Sequence, residues 1–166
     1  PYSSTVAQYL TELCTELIGM GFDELLLKSL TMPVTDAVIS YKVELSSTPS
    51  PEGAVCSLAL TLSSALRGYG VPVSAILVTT SLREGLAGRS GQNVELFAKV
   101  FDRLCSATNS AWQSGVDRDS IDQYFELGSA EQRYVPICSY APEGFSSCIV
   151  RVPEEMLPSA GDEGAE

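Results

Sequence analysis

Twenty-one aspartates and glutamates and no histidine set the terms of any chemistry this chain performs. Without imidazole there is no Ser–His or Cys–His pair, and the commonest general base and metal ligand are both absent. Carboxylates are the reactive groups that remain. Asp23 and Glu24 are adjacent and resemble a paired acid/base site. They directly follow a glycine turn, where helix-type capping or plain solvation is the simpler role. Glu84, with Arg83, lies in the loop "SLREGLAGRSGQ". Glycines 85, 88 and 91 in "GLAGRSG" would let backbone N–H groups meet an anion near Arg89 at a helix start. Their spacing is that of neither a Walker A loop nor a dinucleotide fingerprint, and an ordinary loop explains them as well. Five cysteines (Cys14, Cys56, Cys105, Cys138, Cys148) are scattered through apolar runs without a CxxC pair. They read as buried free thiols, and no metal or cofactor is expected.

The elements decide which of these groups face a ligand. Ser3, Ser4 and Thr5 are candidate caps for a helix carrying Val6, Tyr9, Leu10, Leu13 and Leu17 at helical spacing. Gly19 and Gly21 stop it, and "FDELLLKS" follows as a buried strand. Residues 33–53 form a long connection in which "AVISYKVEL" is a candidate extra strand. A second helix, "EGAVCSLALTLSSALRGYG", precedes the β-branched strand "VPVSAILVTT". "NVELFAKVFDRL" sets Val94, Phe97, Ala98 and Phe101 on one helical face and runs into the strand "RLCSAT". "DRDSIDQYFEL" reads as a short helix, "RYVPICSY" as a fourth strand and "SSCIVRV" as a last extended piece. Strands beginning near 22, 73, 103 and 133, each preceded by a helix, are the rhythm of a parallel sheet with right-handed crossovers. The fold class is therefore α/β, a parallel sheet of about four βα units. Periodicity alone leaves open half of a (β/α)8 barrel or a small doubly wound sheet. The domain spans 1–153, and 154–166 form an acidic flexible tail. The start "PYSSTV" lacks a methionine and reads as that of an excised piece.

A net charge of −11 disfavours a nucleic-acid backbone or an anionic membrane surface as partner. No apolar run is long enough for a membrane span.

In either parallel architecture ligands meet the carboxyl ends of the strands. Those ends carry Lys28 and Ser29, Thr79 to Ser81 with Thr80 central, Thr108 and Asn109, and Tyr140. Trp112 and Gln113 follow the third strand, and Glu84 is the acid closest to a strand end. Hydroxyls, amides and an aromatic ring suit a polyhydroxylated ligand, with Trp112 stacking on a sugar and Asn109 binding its hydroxyls. Trp112 packed on a helix and Glu84 as a solvated loop acid are the plainer alternatives.

The segment "YLTELCTELIGMGFDELLLKSLTMP" resembles a recurrent stretch of bacterial glycoside hydrolase-like TIM-barrel domains. Tyr9, Glu16, Leu17, Gly21, Phe22, Asp23, Glu24 and Pro33 carry the match, and "ALRGYGVPVSAILV" and "FAKVFDRLCSAT" look like the units that follow. The resemblance implies the carboxy-terminal part of such a barrel. It also implies a carbohydrate partner, an extracellular or cell-envelope setting, and either the missing amino-terminal half or a homodimer to complete the fold. One departure matters: the family usually has an acid where this chain has Lys28. A lysine cannot serve as the nucleophile or acid of glycoside hydrolysis, which needs two carboxyl groups. Glu84 is the catalytic candidate, its partner coming from outside this half or from Asp117 or Asp119. Substrate contacts would fall to Lys28, Ser29, Thr80, Asn109, Trp112 and Tyr140. The expected function is a glycoside hydrolase-like domain acting on or binding carbohydrate, with catalysis left open. The alternatives are a non-catalytic carbohydrate or cell-wall binding domain, and a flavodoxin-like domain holding a phosphorylated ligand at "GLAGRSG".

Overall fold

A computed structural model describes residues 1–33, 49–78, 90–107, 123–125, 130–138 and 147–150. Helix α1 (Ser4–Gly19) opens with the Ser3 hydroxyl accepting from the Val6 amide, and closes on Gly21 at φ +95°. The left-handed backbone there explains the glycine. Strand β1 (Leu25–Leu27) is shorter than the run "FDELLLKS". Helix α2 (Pro51–Leu66) has proline in its first turn, where the missing N–H costs nothing, and Ser50 as cap. It passes through a 3₁₀ turn (Arg67–Tyr69) to Gly70, again left-handed, before strand β2 (Val73–Leu77). Helix α3 (Val94–Val100) is capped by Asn93 and leads to strand β3 (Arg103–Ala107). A four-residue helix α4 (Ala130–Arg133) abuts strand β4 (Tyr134–Cys138), and Ile149–Val150 form β5. Of the expected helix at 117–127 only residues 123–125 are described, as a turn, while α4 starts later. The candidate strand at "AVISYKVEL" and the tail 154–166 lie outside the described residues.

Among the described residues all four strand pairings are parallel, and the order is β1-β2-β3-β4-β5, following the chain. The extended piece at "SSCIVRV" thus contributes a fifth strand. A doubly wound sheet reverses its strand order at a switch point. There is no reversal here, so the sheet curls in one direction as half of a TIM barrel. That order sets aside the flavodoxin-like alternative.

Side chains alternate between the two faces of a strand. Leu25, Val73, Ala75, Leu77, Leu104 and Tyr134 share the outer face. There they pack on Cys14 of α1, Val55, Leu58, Ala59, Leu62 and Leu66 of α2, and Val94, Phe97, Ala98 and Phe101 of α3. The face predicted for α3 is therefore the one that is buried. Phe97 and Phe101 meet edge to face with centroids 5.2 Å apart. The Ser63 hydroxyl donates to Val100 O at 2.8 Å, tying α2 to the end of α3. On the same outer face, Ser106 Oγ and Tyr134 Oη share a hydrogen bond of 2.5 Å. Burial pushes the Tyr134 phenol upward, which the bond to Ser106 only partly offsets.

Candidate functional site at the strand ends

The parallel order brings every carboxyl end to one rim. At β1 this rim carries Lys28 and Ser29, both exposed. Ser29 has φ +62°, the one non-glycine residue with positive φ among those described. A side chain in that region costs about 1–2 kcal/mol, so the surrounding structure must hold it there.

The holding elements are close by. The Thr31 amide donates to Ser29 O at 2.8 Å. The Thr31 hydroxyl and the Met32 amide both donate to Ser90 O, at 2.9 and 2.7 Å. Gln92 completes the clasp. Its side chain is completely buried. Its Nε2 donates to Leu30 O and to Ile76 O, each at 3.0 Å, and its Oε1 accepts from Val78 N at 2.8 Å. Backbone pairing between β1 and β2 ends at Leu27–Ala75. Beyond that point the Gln92 amide takes the place of a peptide unit and bridges the two diverging strand ends. Both of its donor hydrogens are used, which is what a buried amide requires.

Gln92 is held from behind. Gly91 has φ +72°, and a Cβ there would lie 2.8 Å from Pro51 O and 2.9 Å from Val55 Cγ2. Asn93, besides capping α3, donates from Nδ2 to Glu52 Oε1 at 2.8 Å. The exits of β1 and β2, the start of α2 and the approach to α3 thus form one fastened unit under the rim. Sequence reasoning did not select Gln92. A glutamine in a glycine-bearing loop reads as solvated, and only burial reveals otherwise. The strained Ser29 also left no sign, since the usual residue for that geometry is glycine.

Among the described acids Glu52 serves the unit under the rim, whereas Asp23, Glu24 and Asp102 lie at the other end of the strands. Glu24, at the amino end of β1, accepts from the Ser74 hydroxyl at 2.5 Å and pairs with Arg103 at 2.9 Å. Asp102 Oδ2 accepts from Val73 N at 2.8 Å. Asp23 is exposed. The adjacent carboxylates at 23 and 24 are therefore split, one solvated and the other in an ion pair on the face of the barrel that the strand-end argument assigns to stability. Next to Glu24, burial pushes the Cys105 thiol up to about 11; the negative charge of Glu24 adds to this and Arg103 opposes it. None of the five cysteines forms a disulfide; Cys14, Cys105 and Cys138 are buried as expected, whereas Cys56 and Cys148 are only half-buried. Among the described residues no group of acids, cysteines or histidines could hold a metal ion, and no helix is long and apolar enough to cross a membrane.

Of the candidate site residues, the structure describes Lys28 and Ser29 and brings them together on the rim above the Gln92 clasp. Glu84, Thr80, Asn109, Trp112 and Tyr140 lie outside the described residues, as do Arg89 and the two acids at 117 and 119. A cleft at the opposite end of the sheet is lined by Arg67, Lys99, Phe101, Asp102 and Arg133. Arg133 is engaged there, donating to the carbonyls of Ala98, Phe101 and Asp102 and so capping the last turn of α3.

No protein-family model matches the chain, and no curated protein is similar to it in sequence. Among solved structures it is similar to catalytic domain 2 of the Group II chitinase of Ostrinia furnacalis, at 14% identity and TM-score 0.52 over 81% of this chain and 39% of that one. A mutant of the same domain in complex with the chitooligosaccharide (NAG)5 aligns at 15% identity and TM-score 0.51, with the same coverage. The glycoside hydrolase domain of PgaB (BpsB) from Bordetella bronchiseptica aligns at 12% identity and TM-score 0.53, covering 82% of this chain and 48% of that one. The chain thus spans less than half the length of each. These likenesses show the fold alone: half of a TIM barrel. They reach across two organisms and do not single out bacterial proteins.

Proposed function

We propose that this chain is a carbohydrate-binding half-barrel whose strand-end rim takes an N-acetylglucosamine-containing oligosaccharide. The observation that carries the reading is Ser29, held in a strained conformation beside Lys28 by the buried Gln92, at the barrel end where ligands meet the strands. Strained residues held by the surrounding structure cluster at functional sites, which supports this reading. Support for the ligand class comes from the chitinase domain of like fold in complex with (NAG)5; the glycoside hydrolase domain of PgaB supports a carbohydrate more broadly. Ser29 and Lys28 would bind sugar hydroxyls from the β1 end, Thr80, Asn109 and Tyr140 from the neighbouring ends, and Trp112 would stack on a ring face.

Hydrolysis is a further step. It needs two carboxyl groups roughly 5–9.5 Å apart around the glycosidic bond. Glu84 is the acid assigned to that role in this chain. Lys28, standing where the resembling family has an acid, favours the second reading, binding without turnover.

Titration calorimetry with chitopentaose tests both. Saturable binding, weakened about tenfold (roughly 1.4 kcal/mol) by Ser29→Ala and by Trp112→Ala, is the expected result. Absence of binding, or binding indifferent to both substitutions, refutes the rim site. Release of reducing ends that disappears in Glu84→Gln would establish hydrolysis; binding without any release would establish the non-catalytic reading.

A further inference from the structure

Leu25 and Leu27 of β1 turn outward to the helices, so alternation puts Leu26, and after it Lys28, on the inner side of the curl. Lys28 is exposed there, and no carboxylate among the described residues pairs with it. The last acid before it along the chain, Glu24, is bound to Arg103 and Ser74. From Glu24 to Lys28 the extended chain covers about 13 Å, at ~3.3 Å per residue. That exceeds the distance of about 8 Å over which charges are felt at physiological salt. Asp102 is likewise at the far end of the strands, accepting from Val73 N, and Glu52 under the rim accepts from Asn93. In a chain of net charge −11, the end of β1 therefore presents a positive charge that no described side chain compensates.

An ammonium has three donors and no acceptor. A sugar hydroxyl both gives and takes hydrogen bonds, and a bond to it from Lys28 leaves the charge unanswered. An anionic oxygen answers the donor and the charge together, in a shorter and stronger bond. The next residue, Ser29, is fixed at φ +62° with its carbonyl held by the Thr31 amide, so the backbone from which Lys28 projects is anchored at a defined place on the rim. We propose that Lys28 sets the charge class of the ligand: the rim prefers an oligosaccharide bearing an anionic group, a uronate carboxylate or a sulfate ester, over a neutral one. This selection rests on the carbohydrate reading of the rim and adds to it a choice of substrate class.

Titration calorimetry with three ligands tests it: chitopentaose, a hexasaccharide alternating N-acetylglucosamine with glucuronate, and chitopentaose carrying 6-O-sulfates. At about 50 mM salt at least one acidic ligand is expected to bind about fivefold tighter than chitopentaose, the scale of an exposed ion pair, and which of the two does so identifies the anionic group. At about 0.5 M salt the preference should vanish. Lys28→Gln keeps a hydrogen-bonding end and removes the charge, so the ratio of acidic to neutral affinity should fall by the same factor. Comparing that ratio between the two proteins cancels the background repulsion from the remaining acids. The salt dependence of the wild type gives the same reading without any substitution. Chitopentaose binding with neither acidic ligand preferred, or a preference that survives both salt and Lys28→Gln, would overturn the selection by charge and leave the carbohydrate reading standing. Failure of all three ligands to bind would overturn both.

Discussion

Replacing Gln92 tests the clasp under the rim. Gln92→Leu keeps the volume of the side chain and removes its polar atoms. Three backbone groups then lose their partner: the buried Leu30 O and the partly buried Ile76 O and Val78 N. A buried backbone group left unpaired costs about 1–3 kcal/mol, and the three share one site, so the expected loss is about 3–5 kcal/mol. Against a typical total of about 5–15 kcal/mol this is large. With a urea slope of about 2 kcal/mol/M, the midpoint should fall by about 1.5–2.5 M. Gln92→Glu separates hydrogen bonding from packing. At neutral pH its carboxylate faces the two carbonyl oxygens that the amide served and donates nothing, so the loss should at least equal that of leucine. Desolvation and those oxygens raise the folded-state pKa of this glutamate above its unfolded value of about 4.3. The folded state therefore binds the proton more tightly. The deficit shrinks as pH falls through the raised value and is smallest below the unfolded one, recovering about 1–2 kcal/mol as the protonated acid donates one bond. Urea denaturation of wild type and both variants between pH 4 and 8 measures this, with wild type as the reference at each pH. A leucine variant within 1 kcal/mol of wild type, or a glutamate deficit that does not change with pH, would refute the account of the clasp.

Three other outcomes follow from the same contacts. Ser29→Gly should raise stability by up to about 1 kcal/mol, because glycine relieves the left-handed strain of about 1–2 kcal/mol at an entropic cost of about 0.5–1; thermal melting should show a small rise while chitopentaose affinity falls, and a variant that gains both would remove the functional meaning of the strain. Gly91→Ala combines positive φ with a Cβ 2.8 Å from Pro51 O, so a loss of more than about 2 kcal/mol is expected in the same denaturation assay. Cys105, with its thiol raised to about 11, holds its proton more tightly when folded, so its contribution is fully present below the unfolded value near 9 and is lost as pH rises toward 11. The loss should amount to roughly 2 kcal/mol relative to Cys105→Ala, measured between pH 8.5 and 10.5, and equal pH profiles of the two proteins would contradict it.

The α/β alternation was legible in the residues because each element is specified within a short window. Val94, Phe97, Ala98 and Phe101 share a face at helical spacing, and that face is the buried one. Gly21 and Gly70 stop their helices with left-handed backbone that glycine adopts without strain. β-branched and apolar runs between such stops located four strands, and the last apolar piece proved to be a fifth. Lys28 and Ser29 were assigned to a strand end by the same pattern. Gln92 was not found, because hydropathy marks a glutamine as a surface residue wherever it stands. The partners that make it a core residue are Leu30, Ile76 and Val78, the first of them 62 positions away.

By itself, then, the sequence determined α1, α2, α3 and the strands β1 to β4 and that the strands run parallel, since propensity, capping and hydrophobic period act over a few residues; the short α4 was not among its helices. The tertiary structure decided the rest: the strand order without reversal, the pairing of Glu24 with Arg103 across 79 positions, and the strain at Ser29. Each of these depends on where distant segments come to lie. The direction in which a sheet curls, and the polar groups that find partners when it does, are set by contacts between those segments and by no single stretch of chain.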